Sequence, residues 1–187
     1  MEDEIKMYLD EAQEMMKKAV SHTQSELAKI RAGKAMPSML DGILVEYYGV
    51  NMPINQIATI NTPDARTLTI RPFEKGSISA IEKAIKDSDL GINPQNNGEM
   101  IILNIPPLTE ERRKQLVKQV KQEIENGKIS VRNARKEINE ALRKLQKEGA
   151  AEDAIKKAED SVQKYTDSYI HKLDEIMTTK EAEIMKV

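Results

Sequence analysis

The chain contains no cysteine and no tryptophan, and only one Phe and five Tyr among 187 residues. Without thiols, disulfides, iron–sulfur clusters and thiolate zinc sites are excluded. Scarce aromatics argue against a large compact core and for long helices with much exposed face. No apolar run approaches the roughly 20 residues of a membrane span. The opening Met1-Glu2-Asp3-Glu4 is acidic and polar, unlike a secretory signal, so a soluble cytoplasmic chain with no membrane partner is expected. The charge has almost no net sign: 29 Lys+Arg against 31 Asp+Glu give -2. Taken whole, that balance does not suggest nucleic-acid binding; its distribution does.

Proline and glycine are missing from most of the chain. All seven prolines lie from Pro37 to Pro107, and six of the eight glycines from Gly33 to Gly98. Helix interiors exclude both, through backbone entropy for Gly and a missing donor and ring clash for Pro. The pattern therefore reads as one long helix, an inserted mixed segment, and two more long helices.

The first helix is expected over about Asp3–Arg31, with Ile5, Leu9, Ala12, Met16, Ala19, Leu27 and Ile30 apolar and Thr23 in the gap. After Pro107 the signal is cleaner. Val117, Ile124, Val131, Ile138 and Leu145 recur every seven residues, joined by Val120, Ala134 and Ala141, with Gly127 in the gap. That is an a/d seam. Thr109-Glu110-Glu111 suits the start of this helix and Gly149 its end. The last helix shows Ile155, Val162, Tyr169 and Ile176, with Ala158 and Tyr165 beside them. Three single-striped helices hide their stripes by packing together as a bundle, with helices of roughly 50–60 Å.

Inside the insert, Ile43–Tyr48, Thr67–Arg71 and Met100–Ile105 read as strands, Asn96-Asn97-Gly98 as a turn, and Ser77–Ile85 as a short amphipathic helix. The expected class is α+β: an elongated three-helix bundle (1–30 plus 106–187) carrying an inserted small β/α/β domain (31–105). Two chain crossings join them, near Arg31–Gly33 and Ile105–Pro107. Two connectors permit rotation about a shared axis; a rigid corner is the alternative.

Catalytic signals are absent. His22 and His171 have no metal-ligand spacing, so no metal site is expected. Gly33-Lys34-Ala35 and Gly127-Lys128-Ile129-Ser130 lack the upstream Gly of a phosphate loop and the hydroxyl directly after Lys. No enzyme and no cofactor are expected.

Charge placement is the informative feature. Residues 1–30 hold four basic and seven acidic side chains; 110–147 hold twelve and six; 148–187 hold six and ten. At 100° per residue, Lys114, Lys118, Lys121, Lys128, Arg132, Arg135, Lys136 and Arg143 fall in one arc of roughly 100°, interrupted by Glu125. A straight stripe of one sign suits a phosphate backbone. A solvated face paired with its acidic neighbours is the other reading. A bundle-type protein-interaction adaptor, its seam completed by a partner helix, would also fit.

Several ordered motifs resemble the ribosome recycling factor family, over essentially the whole chain. They are Arg31-Ala32-Gly33-Lys34-Ala35-Met36-Pro37, continuing to Ile43; Asp89-Leu90-Gly91-Ile92-Asn93-Pro94; Pro106-Pro107-Leu108-Thr109-Glu110-Glu111-Arg112-Arg113; Val131-Arg132-Asn133-Ala134-Arg135; and Lys180–Met185. The resemblance implies a three-helix bundle with an inserted β/α/β domain in an L shape like that of tRNA. It also implies a monomer whose partners are the ribosome, through large-subunit ribosomal RNA, and elongation factor G, which brings the GTP. Together they separate the subunits after termination and free the messenger. By position, Arg132 is implied as the main RNA contact with Arg135 beside it, and Arg31, Arg112, Arg113 and Lys128 as further ones. Lys121 and Lys136 continue the stripe. The family's Arg-Asp is Lys136-Glu137 here, a point charge in place of a fork. Arg31, Ala32, Gly33, Ile105, Pro106 and Pro107 are implied as hinge residues.

Overall fold

The computed structural model describes residues 1–30 and 33–186; Arg31, Ala32 and Val187 lie outside them. Two compact units emerge, Met1–Ala32 with Glu110–Lys186, and Gly33–Thr109. The second division follows Thr109, a few residues later than the Pro106 read from the proline pair. Leu108 explains the shift, because its side chain packs over Gly33 within the inserted unit. Gly33 has φ +70°, and a Cβ there would lie 2.6 Å from Leu108 Cγ.

The first unit is built from α1 (Glu2–Ala28), α4 (Glu110–Lys147) and α5 (Glu152–Lys186), each packed on both others. At 1.5 Å per residue, α4 and α5 run about 57 and about 52 Å. Acids open all three: Glu2, Asp3 and Glu4; Glu110 and Glu111; Glu152 and Asp153. Lys144 and Lys147 close α4. Both placements complement the helix dipole. Gly149, at φ +114°, ends α4 in a Schellman turn: its N–H donates to the Gln146 carbonyl (3.1 Å), and Ala150 N–H to that of Leu145 (3.0 Å). Ala150 and Leu145 are both buried, the apolar contact this turn usually carries.

The buried row differs from the expected heptads. In α4 it is Leu116, Val120, Ile124, Gly127, Val131, Ala134, Ile138, Leu142 and Leu145. Val117 and Ala141 are only half-buried. Eight steps from Leu116 to Leu145 average about 3.6 residues, the period of a straight helix; a strict heptad would demand 3.5 and supercoiling. The same drift runs through α5, where Thr166 and Leu173 are buried while Tyr165, Tyr169 and Ile176 sit half-exposed. In α1 it makes Val20 the core residue instead of Ala19, and the helix ends at Ala28 rather than Arg31.

The inserted unit holds six strands where three were expected. β1 (Leu44–Tyr47) and β2 (Val50–Pro53) form a hairpin, followed by one helical turn, α2 (Ile54–Ile57). β3 (Ala58–Asp64), β4 (Thr67–Pro72), β5 (Gln95–Asn96) and β6 (Ile101–Asn104) form an antiparallel sheet of order β3-β4-β6-β5. β3 escapes a pattern reading because it is an edge strand, Ala-Thr-Ile-Asn-Thr-Pro-Asp, with a register shift between Asn61 and Asp64. Pro63 needs no ladder partner there. Asn96 pairs with Ile101 in β5, so the turn is confined to the residues after it. Leu68 faces Leu103 and Ile70 faces Ile101 across β4 and β6. All four are buried with Ile81 and Ile85 of α3 (Ile78–Lys86), whose apolar residues sit one turn apart.

α3 is tied to β5 by Glu82. Its carboxylate accepts from the Asn96 side-chain amide (2.9 Å) and pairs with Lys86 (3.1 Å). The Asn96 hydrogen bond, then Lys86, holds its pKa below the ordinary glutamate value. A depressed folded pKa means stability present above the unfolded pKa and lost as pH falls through the folded one. Glu82→Gln should therefore unfold at lower urea than the native chain at pH 7. The gap should narrow as pH falls below the ordinary glutamate range; a gap that does not narrow in acid contradicts the assignment.

Candidate nucleic-acid interface

The basic stripe of α4 runs from the flank that meets α5, at Lys128, Arg135 and Arg143, out to the solvent face, and its side chains divide into two kinds. Lys114, Lys118, Lys121 and Lys136 are exposed and, among the described residues, have no ion-pair partner. The others are held. Lys128 Nζ lies 2.6 Å from Asp174 Oδ1 on α5, with only 19% of its side chain exposed. Arg135 Nη1 donates to Gln163 Oε1 (3.4 Å), whose Nε2 donates to Asp167 Oδ1 (2.9 Å). Arg143 Nε reaches Glu159 Oε1 at 3.3 Å. Arg132 pairs with Glu125 of its own helix at 3.5 Å and remains 45% exposed.

The paired-face reading of the stripe is partly realised. α5 supplies acids and amides along one flank, while the lysine row and Arg132 stay open to solvent. Exposed pairs of this kind are worth about 0–1 kcal/mol, so they aim side chains more than they hold the bundle. The held arginines keep spare guanidinium N–H groups, in the fork geometry that fits phosphate oxygens.

Two expected contacts behave differently. Arg113 is half-buried; its Nη1 donates to the Met185 carbonyl (3.2 Å) near the end of α5, and its Nε is buried without a partner. It secures a helix end, where an unsatisfied carbonyl draws a cation. Arg112 is exposed, and its Nη1 donates to Gln115 Oε1 (3.1 Å). Arg31 lies outside the described residues. Of the expected hinge positions, Arg31 and Ala32 are likewise outside. Ile105 is buried with its N–H bonded to the Arg66 carbonyl (2.7 Å), and Pro106 and Pro107 are exposed.

A second surface, in the inserted unit, was not anticipated. Tyr48 is 80% exposed with φ +49°, and its hydroxyl donates to Glu74 Oε2 (2.7 Å). That hydrogen bond first, then the charge of Glu74, raises its pKa. Burial first, then Glu74, does the same for Tyr47, so both remain donors. Phe73, Val50 and Leu44 are exposed on the same unit. Tyr47-Tyr48-Gly49 in a chain this poor in aromatics was the available signal.

Among the described residues, no cluster of His, Cys, Asp or Glu could hold a metal ion, and no helix is long and apolar enough to cross a membrane.

The family model described as ribosome recycling factor matches residues 23–185. The chain is 58% identical to the ribosome-recycling factor of Amoebophilus asiaticus (strain 5a2) over 185 residues, 99% of this chain and 100% of the relative. It is 54% identical to that of Flavobacterium psychrophilum over 187 residues, the full length of both. A solution structure of the ribosome recycling factor superposes with a TM-score of 0.74 at 40% identity, covering 98% of each chain. A second solved chain gives 0.60 at 46% identity, covering 96% of this chain and 98% of the other. It comes from models of the T. thermophilus ribosome recycling factor and the E. coli elongation factor G bound to the E. coli post-termination complex. With the family match running from within α1 to the end of α5 and relatives aligned end to end, this chain belongs to the ribosome recycling factor family.

Proposed function

We propose that this chain binds the post-termination ribosome and, with elongation factor G and GTP, promotes separation of the subunits and release of the messenger. The observation that carries the reading is the lysine and arginine row on the solvent side of α4, in a chain of this family. The row anchors on large-subunit ribosomal RNA. Lys114, Lys118, Lys121 and Lys136 supply salt-sensitive attraction, and Arg132 and Arg135 supply forks to phosphates. Lys128 and Arg112 contribute at the margins. Arg113 serves the bundle instead.

The work is mechanical. The bundle anchors, and the inserted unit turns about the two crossings that contain Gly33 and Ile105–Pro107. GTP hydrolysis belongs to the partner; the chain is not an enzyme and acts as a cytoplasmic monomer. The adaptor alternative is weakened, because α1, α4 and α5 bury their main stripes against one another.

Co-sedimentation with vacant ribosomes over a salt series tests this reading. About six phosphate contacts should weaken binding on the order of 1,000-fold between roughly 50 and 200 mM salt. Free ribosomal RNA should compete. Added elongation factor G and GTP should then split the ribosomes. Binding that ignores salt and RNA would overturn the reading.

A further inference from the structure

Between Lys114 and Arg143, Glu125 is the one acid inside the basic arc of α4; Glu110 shares the bearing but precedes the row, at the helix start. Lys121 lies one turn before it, Lys128 one turn after and Arg132 two turns after, all on the same face. Its carboxylate stands 3.5 Å from Arg132 Nη1, and the two side chains are 54% and 45% exposed. The other held cations reach sideways to α5, through Asp174, Gln163 and Glu159. Between Lys114 and Arg143, Glu125 alone stands in the path a phosphate backbone would follow along the stripe.

Its charge has a consequence for any RNA laid there. A phosphate seated on Lys121 or Arg132 comes within one Debye length, about 8 Å, of the carboxylate. A carboxylate only accepts hydrogen bonds, so phosphate oxygens cannot satisfy it. A ribose 2′-hydroxyl or an exocyclic base amine can. Specificity often rests on such a repulsive element placed beside attractive ones.

We infer that Glu125 is a positioning and specificity-determining residue. It holds the Arg132 guanidinium on the stripe and selects RNA surfaces that present a hydrogen-bond donor between phosphates, against uniform duplex backbone. This inference rests on the ribosome reading above.

The test compares the full-length native chain, Glu125→Gln and Glu137→Gln on vacant ribosomes and on an unrelated duplex RNA, each over a salt series. Glu137 is an exposed acid on the same helix outside the arc, so its variant removes equal charge elsewhere. Glu125→Gln should tighten duplex binding about three- to tenfold at low salt while ribosome binding gains less, so the ribosome-to-duplex ratio falls. Glu137→Gln should leave that ratio within about twofold, and Glu125→Asp should restore most of it. If the two Gln variants behave alike on both RNAs, the inference fails while the ribosome reading stands. If the native chain does not bind ribosomes, the reading fails and takes the inference with it.

Discussion

Arg132→Glu is expected to stop co-sedimentation with vacant ribosomes under salt conditions where the native chain pellets, a loss of at least about 100-fold. A charge-assisted hydrogen bond contributes about 1.5–3 kcal/mol, and each 1.4 kcal/mol is about tenfold in affinity. Reversal also makes the former donor repel the same phosphates. The side chain is 45% exposed and its one ion-pair partner among the described residues is Glu125, so the fold has little to lose. Circular dichroism should be unchanged. Arg132→Lys keeps the charge and loses the fork, so its loss should be intermediate, about tenfold. Arg113→Ala should do the reverse, lowering bundle stability through the lost Met185 contact while leaving the folded fraction's ribosome affinity near native. A folded Arg132→Glu chain that pellets like the native one would remove Arg132 from the interface.

How much of this was legible in one dimension depends on the interaction. Helix existence was, because a stripe along 38 residues repeats its signal many times. Which residue of an adjacent pair is buried was not. A heptad frame and a straight helix coincide at Ile124, Val131, Ile138 and Leu145 and differ where Leu116 replaces Val117 and Leu142 replaces Ala141. β3 was missed because an edge strand needs neither alternation nor a full set of donors. The basic arc was legible from spacing along one helix. Its division into held and open charges was not, since Lys128 meets Asp174, 46 positions away, only through helix packing. Arg113 shows the same limit: its motif marks it as basic, and only the fold turns it toward the end of α5.

Gly127→Val is expected to destabilise the first unit by about 3 kcal/mol, a large share of an ordinary domain's stability. On propensity alone the expectation is opposite, since replacing a mid-helix glycine by alanine normally stabilises by about 1 kcal/mol. Gly127 is buried where three helices meet. An added Cβ would overlap Thr23 Oγ1 of α1 and lie 3.3 Å from both methyls of Leu173 on α5. Thr23 is 2% exposed with its hydroxyl bonded to the Ala19 carbonyl (3.0 Å), so it cannot swing to solvent. Even Gly127→Ala should therefore lose up to about 2 kcal/mol net, as overpacking of about 1–3 outweighs the propensity gain. Thr23→Ala removes the obstructing oxygen. In the Thr23→Ala/Gly127→Ala chain the two effects should couple favourably by about 1 kcal/mol or more, read from urea midpoints at constant m-value. Additive losses, or a Gly127→Ala chain more stable than the native one, would mean that the helices part easily at this level. In that case Lys128, the next residue, would not be held against Asp174 by close packing, and the stripe's flank would have to be fixed by its ion pairs alone.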